Sequence, residues 1–317
     1  MNRIELVTAE DLEDRLGACL EHRELPDYFL YLGKSGYEGW AKLSASSEFP
    51  IASSLTRLLR ESLSRMVGHF PAVFDLVSIG VGNGEKERLL IEAAHKHSLR
   101  YIPVDISSLM LDAALARVND LEVNKAGLVA RFEDLPWLHG FWQSPIVLCL
   151  LGNNFCNYEP NYLLPLVENH LGPEDLFLFD CHLIPEHESG KRLDEVENMY
   201  RSPLNARFNL QPLVQRGLPE ENCAFHLDLE QRLTSAGMAY KTRKCIEILA
   251  DSSIVCASRR IRFAAGERIR MGFTYKFNVL QVRRFLGSHK FHILELSISE
   301  DGSGLLALVR TPAHSQT

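Results

Sequence analysis

The chain has 317 residues, 46% of them apolar and 24% charged, the balance of an ordinary globular protein with enough material for one large domain or a core with a smaller lobe. Its net charge of −7 and pI near 6.0 oppose a phosphate backbone. No Lys/Arg run interleaved with aromatics offsets that charge, so nucleic acid is excluded as a partner and a small molecule is expected.

The N-terminal stretch MNRIELVTAEDLEDRL has no apolar run of secretory length, nowhere do 18 apolar residues run uninterrupted, and the seven cysteines stand singly without a CxxC pair. A cytoplasmic protein with reduced thiols and no membrane contact is expected. Residues 9–21 place Leu12, Leu16 and Leu20 at helical spacing. Residues 28–49 are aromatic and glycine-bearing with weak periodicity, and read as irregular. SSLTRLLRESLSRM then carries a stripe of Leu55, Leu58, Leu59, Leu63 and Met66 behind a serine cap at Ser53 or Ser54, which predicts an amphipathic helix.

Beyond it, short apolar runs alternate with helical patterns. Strands are predicted over 74–80, 101–105, 126–132, 146–151 and 176–182, with helices over 84–97, 107–118 and 159–170. Such alternation is the mark of a parallel sheet built from βαβ units and buried on both faces. The pattern changes after Pro185. A polar helix over 190–201 and a second near 209–216 lead into MAYKTRKCIEIL, SIVCASRRIRF and RIRMGFTYKF, which read as antiparallel strands. The end returns to core chemistry: a helix VLQVRRFLGSH, then strands FHILELSIS and LLALVRT joined by the turn EDGSG. The expected units are a doubly wound α/β core over 55–189 and 270–317, and a smaller α+β lobe from 1–54 and 190–269.

Within FDLVSIGVGNGEKERLLIEAA, three glycines separate the first core strand from a helix. Gly80, Gly82 and Gly84 allow a tight turn that a ligand can approach closely, and the helix beyond them points free N–H groups at it. The spacing is GxGxG with Glu85 following, whereas a dinucleotide-binding turn reads GxGxxG. The next strand ends YIPVD, which puts Asp105 at a strand C-terminus about 20 residues further on, where a carboxylate accepts from both ribose hydroxyls. Asp105 is also well placed to cap the helix that begins at Ser107 or Ser108. S-adenosylmethionine fits these features: it is a nucleoside without phosphate, and its carboxylate suits the turn amides and the ammonium of Lys86. Cys181, His182 and His187 lie close in sequence but lack the ligand spacing of a closed metal site, so no metal is expected.

SIGVGNGEKERLL, YIPVDIS, LLGNNFCNYEP, ARFN and GERIRMGFTYKF occur in an order and spacing that resemble the histidine Nα-methyltransferase family of ergothioneine biosynthesis, to which fungal dimethylallyltryptophan N-methyltransferases are related. The resemblance covers nearly the whole chain. It implies a class I SAM-dependent methyltransferase fold, Rossmann-like with a reversed last strand, plus a separate substrate lobe. It implies cofactor contacts from Gly80, Lys86 and Asp105. It also implies that Asn157 holds the substrate α-amine, that Tyr31 binds the substrate carboxylate, and that Tyr200 supplies a second tyrosine.

This chain departs from the family at several places. Arg131 stands where an acidic residue meets the adenine amino group, with Glu133 or Asp134 as substitutes. The family's imidazole-reading acid and serine become Gly272 and Thr274, and a neighbouring tyrosine becomes Glu48. A pocket without that carboxylate loses the partner that selects imidazole and gains room. The expected activity is therefore N-methylation of the α-amine of an amino acid or amino-acid-like metabolite other than histidine. O- or S-methylation, transfer or cyclisation of the cofactor's aminocarboxypropyl arm, and a noncatalytic cofactor-binding scaffold are the alternatives, and oligomeric state is left open.

Overall fold

The computed structural model describes residues 2–184 and 189–311. In chain order the elements are β1 (Asn2–Glu5), α1 (Ala9–Glu21), β2 (Glu24–Leu25), α2 (Gly33–Ser44), α3 (Ile51–Val67), β3 (Val73–Ile79), α4 (Glu85–Ala93), β4 (Ser98–Asp105), α5 (Ser108–Arg117) and β5 (Asn124–Val129). Next come α6 (Leu135–Leu138), β6 (Ile146–Leu150), α7 (Pro160–Glu168), β7 (Leu176–His182), α8 (Ser189–Tyr200), α9 (Pro203–Val214), β8 (Cys223–Thr234) and β9 (Gly237–Ile248). The chain finishes with β10 (Ser252–Cys256), β11 (Arg259–Phe263), β12 (Arg268–Met271), β13 (Tyr275–Lys276), α10 (Val279–Ser288), β14 (His292–Ile298) and β15 (Gly304–Arg310).

Eight strands form the core sheet in the order β1-β5-β4-β3-β6-β7-β15-β14. The first six run parallel, and β15 lies antiparallel between β7 and β14. The near-continuous apolar runs have a simple cause. Val77, Ile79, Leu148 and Phe177 pack on one face, while Leu76, Val147, Cys149 and Leu178 pack on the other, so the twofold strand period fills two buried layers. From β3 the chain winds outward through β4 and β5, then returns to add β6 and β7 on the opposite side. The C-terminal ends of β3 and β6 therefore flank a switch point, where open α/β sheets form ligand crevices. The reversed β15 completes the expected doubly wound architecture.

A second sheet, β13-β9-β12-β2 with β8 on β9, packs its apolar side against α1 and α9 through Leu16, Leu20, Ile246, Ile248, Ile269 and Leu213. The 272–274 break between β12 and β13 divides the single strand expected over RIRMGFTYKF and turns it toward the core sheet.

Several expectations are corrected. Residues 28–49 hold a 3-10 turn at Asp27–Tyr31 and the helix α2. Their glycines serve close packing: a Cβ on Gly36 would lie 2.6 Å from the Tyr31 carbonyl carbon, and one on Gly39 3.1 Å from the Phe208 ring. Tertiary contact thus outweighs low helix propensity. The helix α3 starts at Ile51 behind Pro50, and Ser53 bonds back to the Pro50 carbonyl at 3.0 Å as a first-turn residue. The helix expected near 209–216 begins at Pro203, behind Ser202 as its cap. Strand β8 gives little sequence signal because one side is largely exposed and apolar alternation is weak. Residues 2–5, expected in the smaller lobe, add an edge strand to the core sheet, while Tyr275 and Lys276, expected in the core, pair with β9.

Candidate active site

The C-terminal ends of β3, β4 and β6 open into a cavity of about 1180 Å³ whose far wall comes from the Asp27–Tyr31 turn, α2, α9, β9 and the 272–274 break. At its floor, Gly80, Gly82 and Gly84 all take positive φ (70°, 55° and 72°), the left-handed region that glycine enters without strain. Gly80 and Gly82 line the cavity. Gly84 does not: a Cβ there would meet Ala114 Cα at 2.7 Å. Its expected ligand contact is corrected to a packing role that lets α4 approach α5.

Asp105 ends β4 and lines the cavity, accepting from Gly82 N–H at 3.2 Å and Ser107 N–H at 2.8 Å. Ser107, whose hydroxyl accepts from Met110 N–H, is the cap of α5. Burial pushes the Asp105 carboxyl up to about 6, although the backbone donors pull it down. Lys86 is also in the wall, but its ammonium is paired at 2.6 Å with Asp180, which is 1% exposed. The other Asp180 oxygen accepts from Asn153 N–H at 2.6 Å. Lys86 is thus anchored, with two donors to spare.

The loop after β6 holds three asparagines with different fates. Asn153 accepts from His182 N–H at 2.7 Å and donates to Thr274 Oγ1 at 3.3 Å. Asn154 donates to the Leu151 and Gly80 carbonyls. The Asn157 side chain has no hydrogen-bond partner among the described residues and lines the cavity, and Glu159 stands at the N-cap position of α7. Tyr31, Tyr200, Gly272 and Thr274 line the same cavity. Tyr31 is wedged edge-on between Trp40 and Phe208, with ring centroids 5.4 and 5.5 Å away. Burial, then Asp27, Asp105 and Tyr200, raise its phenol pKa and keep it a donor. The Thr274 amide donates to the Thr242 hydroxyl at 2.8 Å, which holds the break against β9.

Three further expectations are corrected. Asp134 is bound to Arg131, which donates to it from its backbone N–H, Nε and Nη2, and it does not reach the cavity, whereas Glu133 does. Glu48 is an exposed turn residue outside the cavity; the turn directs Phe49 inward against Tyr200, 5.5 Å between ring centroids. Gly272 leaves no room, because a Cβ there would lie 2.6 Å from Asp27 Cγ. Asp27, Trp40 and Lys244 line the cavity without any sequence signal, each a lone residue in an unremarkable setting; Phe208 lines it too, from the ARFN stretch.

Glu87, on the first turn of α4, is 2% exposed and also borders the cavity. Its Oε1 accepts from the Ser78 hydroxyl at 2.7 Å, and its Oε2 is buried without a partner. Burial pushes its carboxyl from 4.5 up to about 7. Stability from this group is therefore complete below pH 4.5 and is lost as pH rises through 7, where the folded protein must hold a buried anion. Glu87→Gln should melt like the parent near pH 5 and gain about 3 kcal/mol over it above pH 8. Thermal unfolding across pH 5–8.5 checks this, and parallel curves would rule Glu87 out.

Sequence comparison decides the class. A family described as "Histidine-specific methyltransferase, SAM-dependent" matches residues 9–311. The chain belongs to this family of SAM-dependent methyltransferases. No curated protein matches it in sequence. Among solved structures, a putative methyltransferase from Thermobifida fusca is similar at 11% identity and a TM-score of 0.50, over 90% of this chain and 93% of that one. Magnesium protoporphyrin IX methyltransferase from Synechocystis, with bound SAH, is similar at 11% identity and a TM-score of 0.46, over 89% and 97%. The Thermobifida fusca likeness bears on the fold alone, and the doubly wound sheet with its reversed β15 is that of a class I methyltransferase.

S-adenosylmethionine is thus this methyltransferase's cofactor, and the crevice suits it: two glycines bring bare backbone to the wall, and a buried carboxylate ends the neighbouring strand. Membership in an enzyme family sets the scaffold alternative aside. Among the described residues no three His, Cys, Asp or Glu side chains gather to hold a metal, and no helix is long and apolar enough to cross a membrane. Cys181 and His182 are buried in β7, and His187 lies outside the described residues.

Proposed function

We propose that this methyltransferase acts on the α-amine of an amino acid or amino-acid-like small molecule. The observation that carries the reading is Asn157, an amide without a hydrogen-bond partner among the described residues, in a cavity shared with Asp105, Tyr31 and Tyr200. When bound, S-adenosylmethionine supplies an electrophilic methyl carbon on its sulfonium. Gly80 and Gly82 give it close backbone approach, Asp105 accepts from its ribose, Lys86 donates to its carboxylate, and Glu133 is the acid nearest to replacing the adenine contact. The Asn157 carbonyl accepts an N–H of the substrate amine and so fixes the direction of the nitrogen lone pair. Tyr31 and Tyr200 donate to the substrate carboxylate. The neutral fraction of the amine suffices, so no strong base is required.

Incubation with S-adenosylmethionine and a panel of amino acids, read by mass spectrometry, tests the reading. The expected result is a gain of one or more methyl masses on the amine of at least one amino acid. Methylation confined to oxygen or sulfur, or methylthioadenosine release without a methylated product, would overturn it.

A further inference from the structure

Beside the glycine turn stands a donor with nothing to donate to. Trp40, on α2, lines the cavity and is half-buried, and its indole Nε1 makes no hydrogen bond among the described residues. A Cβ built at Gly82 would lie 3.6 Å from that nitrogen. Apart from the chain neighbours of Gly82, no other atom of the described residues comes within 4 Å of that point. The indole N–H thus reaches across to the turn, and the space beside it is open. Gly82 gives its own N–H to Asp105 Oδ2 at 3.2 Å, so the indole stands close to the carboxylate that ends β4.

The helix is shaped to put the ring there. Gly36 and Gly39 are poor helix formers, yet they let α2 press on its neighbours: a Cβ would lie 2.6 Å from the Tyr31 carbonyl carbon at one and 3.1 Å from the Phe208 ring at the other. Trp40 follows at once, edge-on to Tyr31 and tilted on Phe208, with ring centroids 5.4 and 5.9 Å away. Both contacts hold the ring, so its N–H is oriented before a ligand arrives. A tryptophan N–H inside a wall ordinarily has an acceptor. A ribose hydroxyl supplies one, because it gives its hydrogen to Asp105 and keeps lone pairs that accept from the indole. An ionised carboxylate only accepts and an indole only donates, so the two hold opposite sides of one hydroxyl.

We propose that Trp40 is a cofactor-binding residue whose indole N–H donates to a ribose oxygen of S-adenosylmethionine held by Asp105. The same ring leans on Tyr31 and Phe208, so cofactor binding is tied to the wall that those two side chains form. The assignment needs no identified methyl acceptor and stands independently of the α-amine reading.

Calorimetry with SAH at pH 8 tests it on two variants. Trp40→Phe keeps an aromatic ring against Tyr31 and removes the N–H. The benzothiophene analogue of tryptophan, incorporated in place of Trp40, keeps the whole shape and puts sulfur where the N–H was, with ligand-free thermal unfolding reporting on the fold. Each variant should bind SAH about tenfold more weakly than the parent. The 2′-deoxy and 3′-deoxy forms of SAH then locate the contact. For one of them, loss of the hydroxyl should cost the parent about tenfold more than it costs either variant, since the variants have no indole bond left to lose. SAH lacking its carboxylate should lose as much affinity on substitution of Trp40 as SAH itself does. Parental SAH affinity in the benzothiophene variant, additive losses with both deoxy compounds, or coupling to the carboxylate in place of the ribose would overturn the assignment.

Discussion

Replacing Asn157 by alanine is expected to lower kcat/KM for the methyl acceptor about a hundredfold or more, while SAH binds as it does to the parent. Its two neighbours in the loop are committed to structure. Asn153 ties β7 to the 272–274 break, and Asn154 ties the loop to the glycine turn. Asn157 makes no such bond among the described residues, so its truncation removes no contact that holds the fold. What is lost is the acceptor that aims the amine, and misdirected lone pairs cost rate even when both reactants remain bound. Asn157→Asp keeps the shape and adds a charge that favours the ammonium, which has no lone pair to offer. Its activity should be low and should recover toward alkaline pH. Steady-state kinetics with SAH calorimetry checks both variants; parental kcat/KM in a folded Asn157→Ala would remove the residue from the mechanism.

SAH affinity should be flat above pH 7 and fall by up to tenfold per unit below about pH 6. The cause is Asp105, whose carboxyl burial raises to about 6. In the proposed mode the ionised form accepts both ribose hydroxyls. The protonated form, increasingly populated as pH falls through 6, keeps one weaker acceptor oxygen and loses the charge that strengthens both bonds. Asp105→Asn preserves one acceptor for Ser107 N–H and removes the titration, so its affinity should be roughly ten- to a hundredfold lower at pH 8 and nearly independent of pH. Calorimetry with SAH from pH 5 to 8 measures the profile. A parental slope in Asp105→Asn would transfer the titration to another group.

The residues most legible in the sequence were those whose role is local. A strand, a glycine turn and a helix in succession announce a crevice because the φ values required at 80 and 82 favour glycine. Asp105 follows from its place at the end of the next strand. The same logic failed at Gly84 and Asp134, where a neighbouring element claims the residue: α5 presses on the one, and Arg131 binds the other. It failed also at Glu48, since a turn residue's direction is set by which neighbour is buried, and Phe49 is the one that goes in.

Periodicity and punctuation by themselves determined the alternating strands and helices of the doubly wound core and the glycine-turn crevice, because each depends on residues within one βαβ unit; the reversed final strand came in only as what the resemblance implies. Only the tertiary structure decided which asparagine of NNFCN is free, that Lys86 is already paired, and that Asp27 takes the space beside Gly272. Those facts depend on contacts between distant segments, such as Lys86 with Asp180, 94 positions apart, and Asp27 with Gly272. Nothing in local spacing encodes such a meeting; it exists only once both sheets have packed and closed the cavity between them.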